Sequence, residues 1–363
     1  MNIKTSPRYA RRSVLYAWLM SLPALIGLTV FVVVPLALGV QWSFTDKRLI
    51  SPLPTRFVGL QNYDRLLSLR FMALEAQLDP HTGQPQRDER GAVVYPSVRG
   101  IIRSDPGLAD FREWFQFNLF GRQFAAIAKD PTFMQAVVNT FTFVLVIVPF
   151  QGGLALVMAL LVNQRLRGIT LFRTLFFSPV VTSMAVIAVV WTFLYNPDQG
   201  LINQFLKAIS LGQIQPLRWL VDTDTALPAI ILVSAWQAAG FQMVIFLAGL
   251  QDIPEALYEA ARIDGANTWQ LFRYVTFPQL RNTTIFVVIS TTILAFRLFT
   301  QVDVMTHGGP ADATATIIYH VVNQGFRQQR VGYASATTVV FFLIVLAIAL
   351  LQKSILKSEV AME

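Results

Sequence analysis

Long apolar runs separated by short charged segments dominate the chain. Six of them approach the ~20 residues that a helix needs to cross a hydrocarbon core. They are Ala17–Leu38, Ala136–Leu161, Thr174–Leu194, Ala226–Leu250, Thr283–Val304 and Tyr333–Leu351. The fourth has no charge between Asp224 and Asp252. Backbone groups in lipid must satisfy their own hydrogen bonds, so the runs predict helices rather than strands. Pro23, Pro149, Pro179 and Pro228 fit as kinks or helix starts. The first run follows Lys4, Arg8, Arg11 and Arg12. It is longer than a cleaved signal peptide's apolar run and lacks a clear small-residue cleavage site, so we expect an uncleaved span.

Composition agrees with a lipid environment. Of the 363 residues, 54% are hydrophobic and 14% charged, against roughly 25% charged in soluble domains. Cysteine is absent, which excludes disulfides, thiol nucleophiles and thiolate metal sites. The net charge of +8 need not mean nucleic acid, because its distribution has another reading. Short segments on one side of the six runs carry twelve basic residues, including Arg165, Arg167, Arg173, Arg262, Arg273, Arg281, Lys353 and Lys357; those on the other side carry four, Lys207, Arg218, Arg327 and Arg330. By the positive-inside bias both termini are predicted to be cytoplasmic.

Residues 64–130 stand apart as an external insertion between the first and second spans. The stretch Asp79-Pro-His-Thr-Gly-Gln-Pro-Gln-Arg-Asp-Glu-Arg-Gly is polar and turn-rich, whereas Phe111–Phe124 is aromatic, with Trp114, Phe115, Phe117 and Phe120 near one face of a predicted helix. Two readings remain open: a small cap or partly ordered loop, and a contact surface for a soluble partner. Long loops are more often functional or disordered than merely connecting.

The charged segment after the fourth span reads as a helix, a turn and a second short helix. Pro254 suits a helix start, and Glu255 follows at the positive end of the helix dipole. Glu259 and Arg262 have pairing distance in sequence, and Leu257, Ala260 and Ala261 share a stripe. Gly265 is placed to end the helix in the left-handed region. Asn267 or Thr268 can cap the next helix. On these residues alone, an interfacial helix lying on the membrane and a docking surface are equally good readings.

The pattern Glu259, Ala260, Ala261, Gly265 and Pro278 resembles the EAA loop of binding-protein-dependent ABC importer permeases, with Val275 and Phe277 in place of the usual Ile and Leu. Phe57-Val-Gly-Leu-Gln-Asn-Tyr, Asp130-Pro-Thr-Phe-Met-Gln-Ala-Val-Val-Asn-Thr, Arg165-Leu-Arg-Gly through Phe172-Arg-Thr-Leu-Phe-Phe-Ser-Pro, Trp236–Gly249 and Thr306-His-Gly-Gly-Pro also resemble that family, in its MalF-like carbohydrate and glycerol-phosphate branch. The resemblance implies an all-α integral membrane protein of the bacterial plasma (inner) membrane, with six transmembrane helices in a type I importer permease fold. It divides the chain into 1–63 with the first span, the insertion 64–130, and a core permease domain 131–363 whose coupling loop is 252–282.

The resemblance further implies a permease subunit for a sugar or oligosaccharide, or for glycerol phosphate or another polyol. Its partners would be a second permease, two ATPase subunits, an extracytoplasmic substrate-binding protein and membrane lipid. No phosphate-binding Gly-x-x-x-x-Gly-Lys-Ser/Thr loop exists in the chain, so the ATP and Mg are expected on the ATPase and no cofactor here. The coupling residues would be Glu255, Glu259, Ala260, Ala261, Asp264, Gly265 and Pro278. Alignment through Trp236 and Thr306-His-Gly-Gly-Pro places Gly240, Met243, Thr291, Ala295 and Leu298 on the translocation pathway.

Arg297 is the one charge well inside a span, by default a functional-site candidate. It either faces the pathway, favouring an anionic substrate, or snorkels outward or pairs with another subunit. Gln237 and Gln242 are expected to hydrogen-bond between helices. His81, His307 and His320 lack metal-ligand spacing, and no nucleophile or acid–base pair stands out. An ion-driven secondary transporter would need coupling-ion ligands in its spans and often an inverted repeat, and neither is evident. A membrane receptor or assembly factor using the loop only for docking is a third reading.

Overall fold

The computed structural model describes residues 7–79, 84–88, 91, 93–164 and 167–360. His81 and Arg165, part of the turn-rich stretch and the Arg165-Leu-Arg-Gly motif lie outside them. The chain divides into two compact units, Met1–Leu66 with Val321–Val340, and Leu67–His320 with Phe341–Glu363.

The first helix is α1, Pro7–Leu28, which continues through a π-helical turn at Thr29–Val33 into α2, Val34–Ser43. Its apolar stretch Trp18–Ser43 is long enough to cross a membrane, and none of its most apolar window is buried within the protein. A helix this apolar and this exposed within the chain is suited to lipid or to a partner's apolar surface. Beyond it, the Asn62 amide donates to the carbonyls of Ser43 (2.8 Å) and Thr45 (2.9 Å), fixing the chain before α3, Gln61–Leu67.

The insertion is mixed. Strands β1, Leu69–Leu74, β2, Arg112–Leu119, and β3, Arg122–Ala128, form an antiparallel sheet in the order β1-β3-β2. α4, Val98–Ser104, packs Val98 and Ile102 with Leu74, Ile127 and Phe111 in its small core. The helix predicted for Phe111–Phe124 is therefore a hairpin. Its residues alternate as a strand does, Phe115-Gln116-Phe117-Asn118-Leu119, with period two. Phe120 and Gly121 both take positive φ (50° and 76°), as a two-residue hairpin turn with the right twist demands. Phe117 opposes Phe124 across the strands, their rings stacked 5.6 Å apart.

The core helices follow. α5, Pro131–Val162, starts on Asp130, whose side chain accepts from the Phe133 N–H at 3.0 Å. α6, Ile169–Val181, and α7, Met184–Leu194, replace the continuous third span. They meet at 100°, because Thr182 and Ser183 are both extended. α8, Leu201–Ile209, is a short amphipathic helix, and α9, Thr223–Gln251, is buried over most of its apolar length. α10, Glu255–Ile263, α11, Thr268–Leu271, and α12, Phe277–Gln279, build the charged segment. α13, Arg281–Ala295, stops early, and α14, Thr300–Met305, follows a break. α15, Ile317–Val322, and α16, Val331–Val360, complete the chain.

The fifth span is thus also interrupted. No proline causes this break; the freed Leu298 carbonyl accepts from the Thr316 hydroxyl at 2.8 Å. Broken helices persist at membrane depth only where such partners re-satisfy the backbone. Among the described residues, four helices are long and apolar enough to span, or five if α6 and α7 count as one, and α13 is shorter.

Candidate functional site

Two regions carry chemistry, and the sequence between α9 and α13 builds the first. α10 ends in a double backbone closure: Gly265 N–H donates to Arg262 O (3.0 Å) and Ala266 N–H to Ala261 O (2.9 Å). This geometry needs a left-handed residue at Gly265, whose φ is 82°. α11 opens on a capping box. Gln270 N–H donates to Asn267 Oδ1 (2.9 Å), and Asn267 N–H to Gln270 Oε1 (2.7 Å). Each box satisfies two otherwise orphaned donors.

A tyrosine ties the two arms, since Tyr258 Oη lies 3.0 Å from Thr276 Oγ1. Behind them, Leu280 is buried in a cluster with Val162, Phe246 and Leu250. Gly249 lies so close to Thr283 that a methyl group there would collide with it. The segment is an elbow, fastened to long helices at both ends.

Its outer side is largely uncovered by the described residues. Glu255, Glu259, Ala260, Asp264, Gly265 and Pro278 are exposed, and Ala261 is half-buried against the elbow's own fold. Ile263 is 86% exposed and Trp269 67%. Large apolar side chains exposed to this degree are suited to contact with lipid or with another protein.

The second region is a cavity of about 300 Å³ between α5, α6, α9, α13 and α14. Thr291, Ala295, Arg297 and Leu298 line it together. Gly240 and Met243 are not among its lining residues. Gly240 abuts the backbone of α6 at Phe176, and Met243 is buried among Phe246, Leu250 and Ala159. Helix rotation turns these positions into packing.

The cavity's polar wall comes mostly from amides. Gln151, Gln237, Gln242 and Gln301 line it, with Ser234. Gln242 donates through Nε2 to Thr291 Oγ1, which donates on to Val287 O at 2.6 Å. Gln301 Nε2 donates to Ser234 Oγ at 3.1 Å, and Gln237 Nε2 reaches Pro179 O at 3.4 Å. The interhelical role expected for Gln237 and Gln242 holds, but both also face the cavity. Gln151 and Gln301 were not singled out by the sequence. Their signal is an amide alone in a long apolar run.

His320 is 1% exposed, outside the spanning runs, with Nε2 3.4 Å from Asp130 Oδ2. Burial holds its imidazole below the usual histidine value, against the opposing pull of Asp130 and Asp312. Asn139 anchors the same neighbourhood, donating to the carbonyls of Asp312 (2.7 Å) and Ala315 (2.9 Å). These are structural ties, and the described residues contain no cluster that could hold a metal.

Known proteins share this architecture. Residues 124–358 match the family described as binding-protein-dependent transport system inner membrane component. The probable ABC transporter permease protein YurN of Bacillus subtilis is 36% identical over 68% of this chain and 88% of its own length. The lactose transport system permease protein LacF of Rhizobium radiobacter is 36% identical over 62% of this chain and 76% of its own. The sn-glycerol-3-phosphate transport system permease protein UgpA of Brucella abortus is 34% identical over 63% and 77% respectively. Among solved structures, a bacterial ABC transporter that imports the acidic polysaccharide alginate has a TM-score of 0.67 over 96% of both chains, at 19% identity. The family match, the relatives and the helical core agree: the chain belongs to the binding-protein-dependent transport system inner membrane components, as an ABC importer permease.

Proposed function

We propose that this permease works with a second permease, two ATPase subunits and an extracytoplasmic binding protein, and that its elbow transmits the ATPase stroke. The observation that carries this reading is the doubly capped elbow with its apolar outer side, fastened to α9 and α13. A lever must be stiff at the bend and open at the contact, and this segment is both. Glu255, Glu259, Ala260, Ala261, Asp264, Gly265 and Pro278 form or flank that contact. In this reading the elbow and both termini are cytoplasmic, and ATP and Mg belong to the ATPase subunits. Residues 64–130 form an extracytoplasmic insertion before a core at 131–363.

The pathway runs along the cavity, through Thr291, Ala295, Arg297 and Leu298. Its wall is largely apolar but carries four glutamine amides, which suits a hydroxylated cargo, a saccharide or polyol, because each sugar hydroxyl needs a partner when it leaves water. The names of the lactose and glycerol-phosphate relatives point the same way. Gly240 and Met243 act through packing in this account, holding the wall in place.

Affinity purification of the protein from its native membrane tests the assembly. An ATPase and a second permease are expected to copurify in stoichiometric amounts. Recovery of this chain alone, with transport driven by an ion gradient, would contradict the reading.

A further inference from the structure

The cavity's charge and its unmet hydrogen bonding say more about the cargo. Arg297 is the sole ionisable group among the described residues that line it. Asp303, on α14, is not among them. The Arg297 side chain is exposed, at the break between α13 and α14. A guanidinium at membrane depth is expensive unless something anionic or hydrated faces it. Its planar fork matches carboxylate and phosphate oxygens two at a time.

Gln242 supplies the second, independent observation. It is 2% exposed, and while its Nε2 donates to Thr291, its Oε1 accepts from nothing in the protein. A buried amide oxygen without a donor costs about 1–3 kcal/mol. Thr291 cannot supply the donor, since its hydroxyl hydrogen goes to Val287 O. The cavity therefore presents one accessible cation, with an amide oxygen lacking a donor buried just behind its wall.

We infer that the cavity takes a hydroxylated anion, a polyol or saccharide bearing a carboxylate or phosphate, with Arg297 holding the anionic group. The inference rests on the reading of this cavity as the pathway. It adds a charge requirement that a neutral-sugar permease would lack.

Because the chain has no cysteine, Ala238→Cys puts its only thiol on the cavity wall. The fully assembled importer in nanodiscs is reacted with a small maleimide in the presence of glucuronate, glycerol 3-phosphate, glucose or glycerol at equal concentration. We expect at least one of the two anions to slow labelling about tenfold at a concentration where its neutral counterpart has little effect, the scale of one charge-assisted hydrogen-bonded pair. Whichever protects identifies the carboxylate or the phosphate. Arg297→Ala or Arg297→Gln should abolish the protection and Arg297→Lys retain part of it, with ATP hydrolysis by the complex reporting that each variant is assembled. Equal protection by neutral and anionic compounds, protection by none, or protection surviving in Arg297→Gln would overturn the inference. A thiol at position 238 that maleimide never reaches would instead overturn the pathway reading beneath it.

Discussion

Replacing Gly265 with valine is expected to cut transport about tenfold or more while ATP hydrolysis continues, or to prevent the ATPase from binding. The reason lies in the backbone. Gly265 sits at φ 82°, and a β-branched residue there is a genuine outlier. Forcing it costs on the order of 1–3 kcal/mol, and each 1.4 kcal/mol is about tenfold in the population of the correct bend. Crowding is not the cause, since a β-carbon at Gly265 would meet nothing within 4 Å. That separates two explanations. Gly265→Asn adds more bulk than alanine but tolerates the left-handed region, so it should keep most of the uptake per ATP hydrolysed. Uptake in reconstituted proteoliposomes measures both variants. Equal activity of the valine and asparagine variants would show that the bend is not what the loop needs.

Gly240→Ala is expected to destabilise the protein, with an unfolding midpoint lower by about 1–4 °C. The added carbon would overlap the Phe176 carbonyl oxygen and lie 3.1 Å from Phe177 Cα. These are backbone atoms of α6, so relief requires α6 to move away from α9. Overpacking of this kind costs about 1–3 kcal/mol, and at about 2.1 cal/mol/K of unfolding entropy per residue a chain of 363 residues loses about 1.3 °C for each kcal/mol. Thermal unfolding of the detergent-solubilised complex, followed by tryptophan fluorescence, reads the effect. An unchanged midpoint with altered substrate preference would instead put Gly240 on the pathway.

The elbow was legible because its signals are local. Gly265, Asn267 and Pro254 each carry a backbone preference that acts within a few residues, and the neighbouring chain does not override it. Long apolar runs were equally legible as helices. Their interruptions were not. The bend at Thr182–Ser183 and the stop at Ala295 are set by packing and by distant partners such as Thr316, which no window around the span contains. The hairpin at Arg112–Ala128 was missed because four aromatics also fall near one face of a helix, and that coincidence hid the period-two alternation of Phe115 to Leu119. The positive φ of Phe120 was the less visible half of its turn.

The cavity was half legible. The sequence places Thr291, Ala295 and Leu298 on one stripe of the fifth span; α13 carries the first two and the break after it Leu298, and the structure brings them together with Arg297. Gly240 and Met243 depended on the rotation of α9, which the sequence does not set. The amides were visible as residues but not as a group, because Gln151, Gln242 and Gln301 come from three different helices. Only tertiary structure puts them on one wall, and there they supply the polarity that the stripe of α13 lacks.

The central claim is that the elbow faces the cell interior and touches a motor subunit. In a chain without cysteine, Ile263→Cys places a single thiol at its most exposed apolar residue. We expect this thiol to be shielded from a membrane-impermeant maleimide in intact cells, and to cross-link to the ATPase in the purified importer with a yield that changes when ATP binds. Labelling from outside the cell, or an assembled importer in which position 263 never cross-links to the ATPase, would contradict the account.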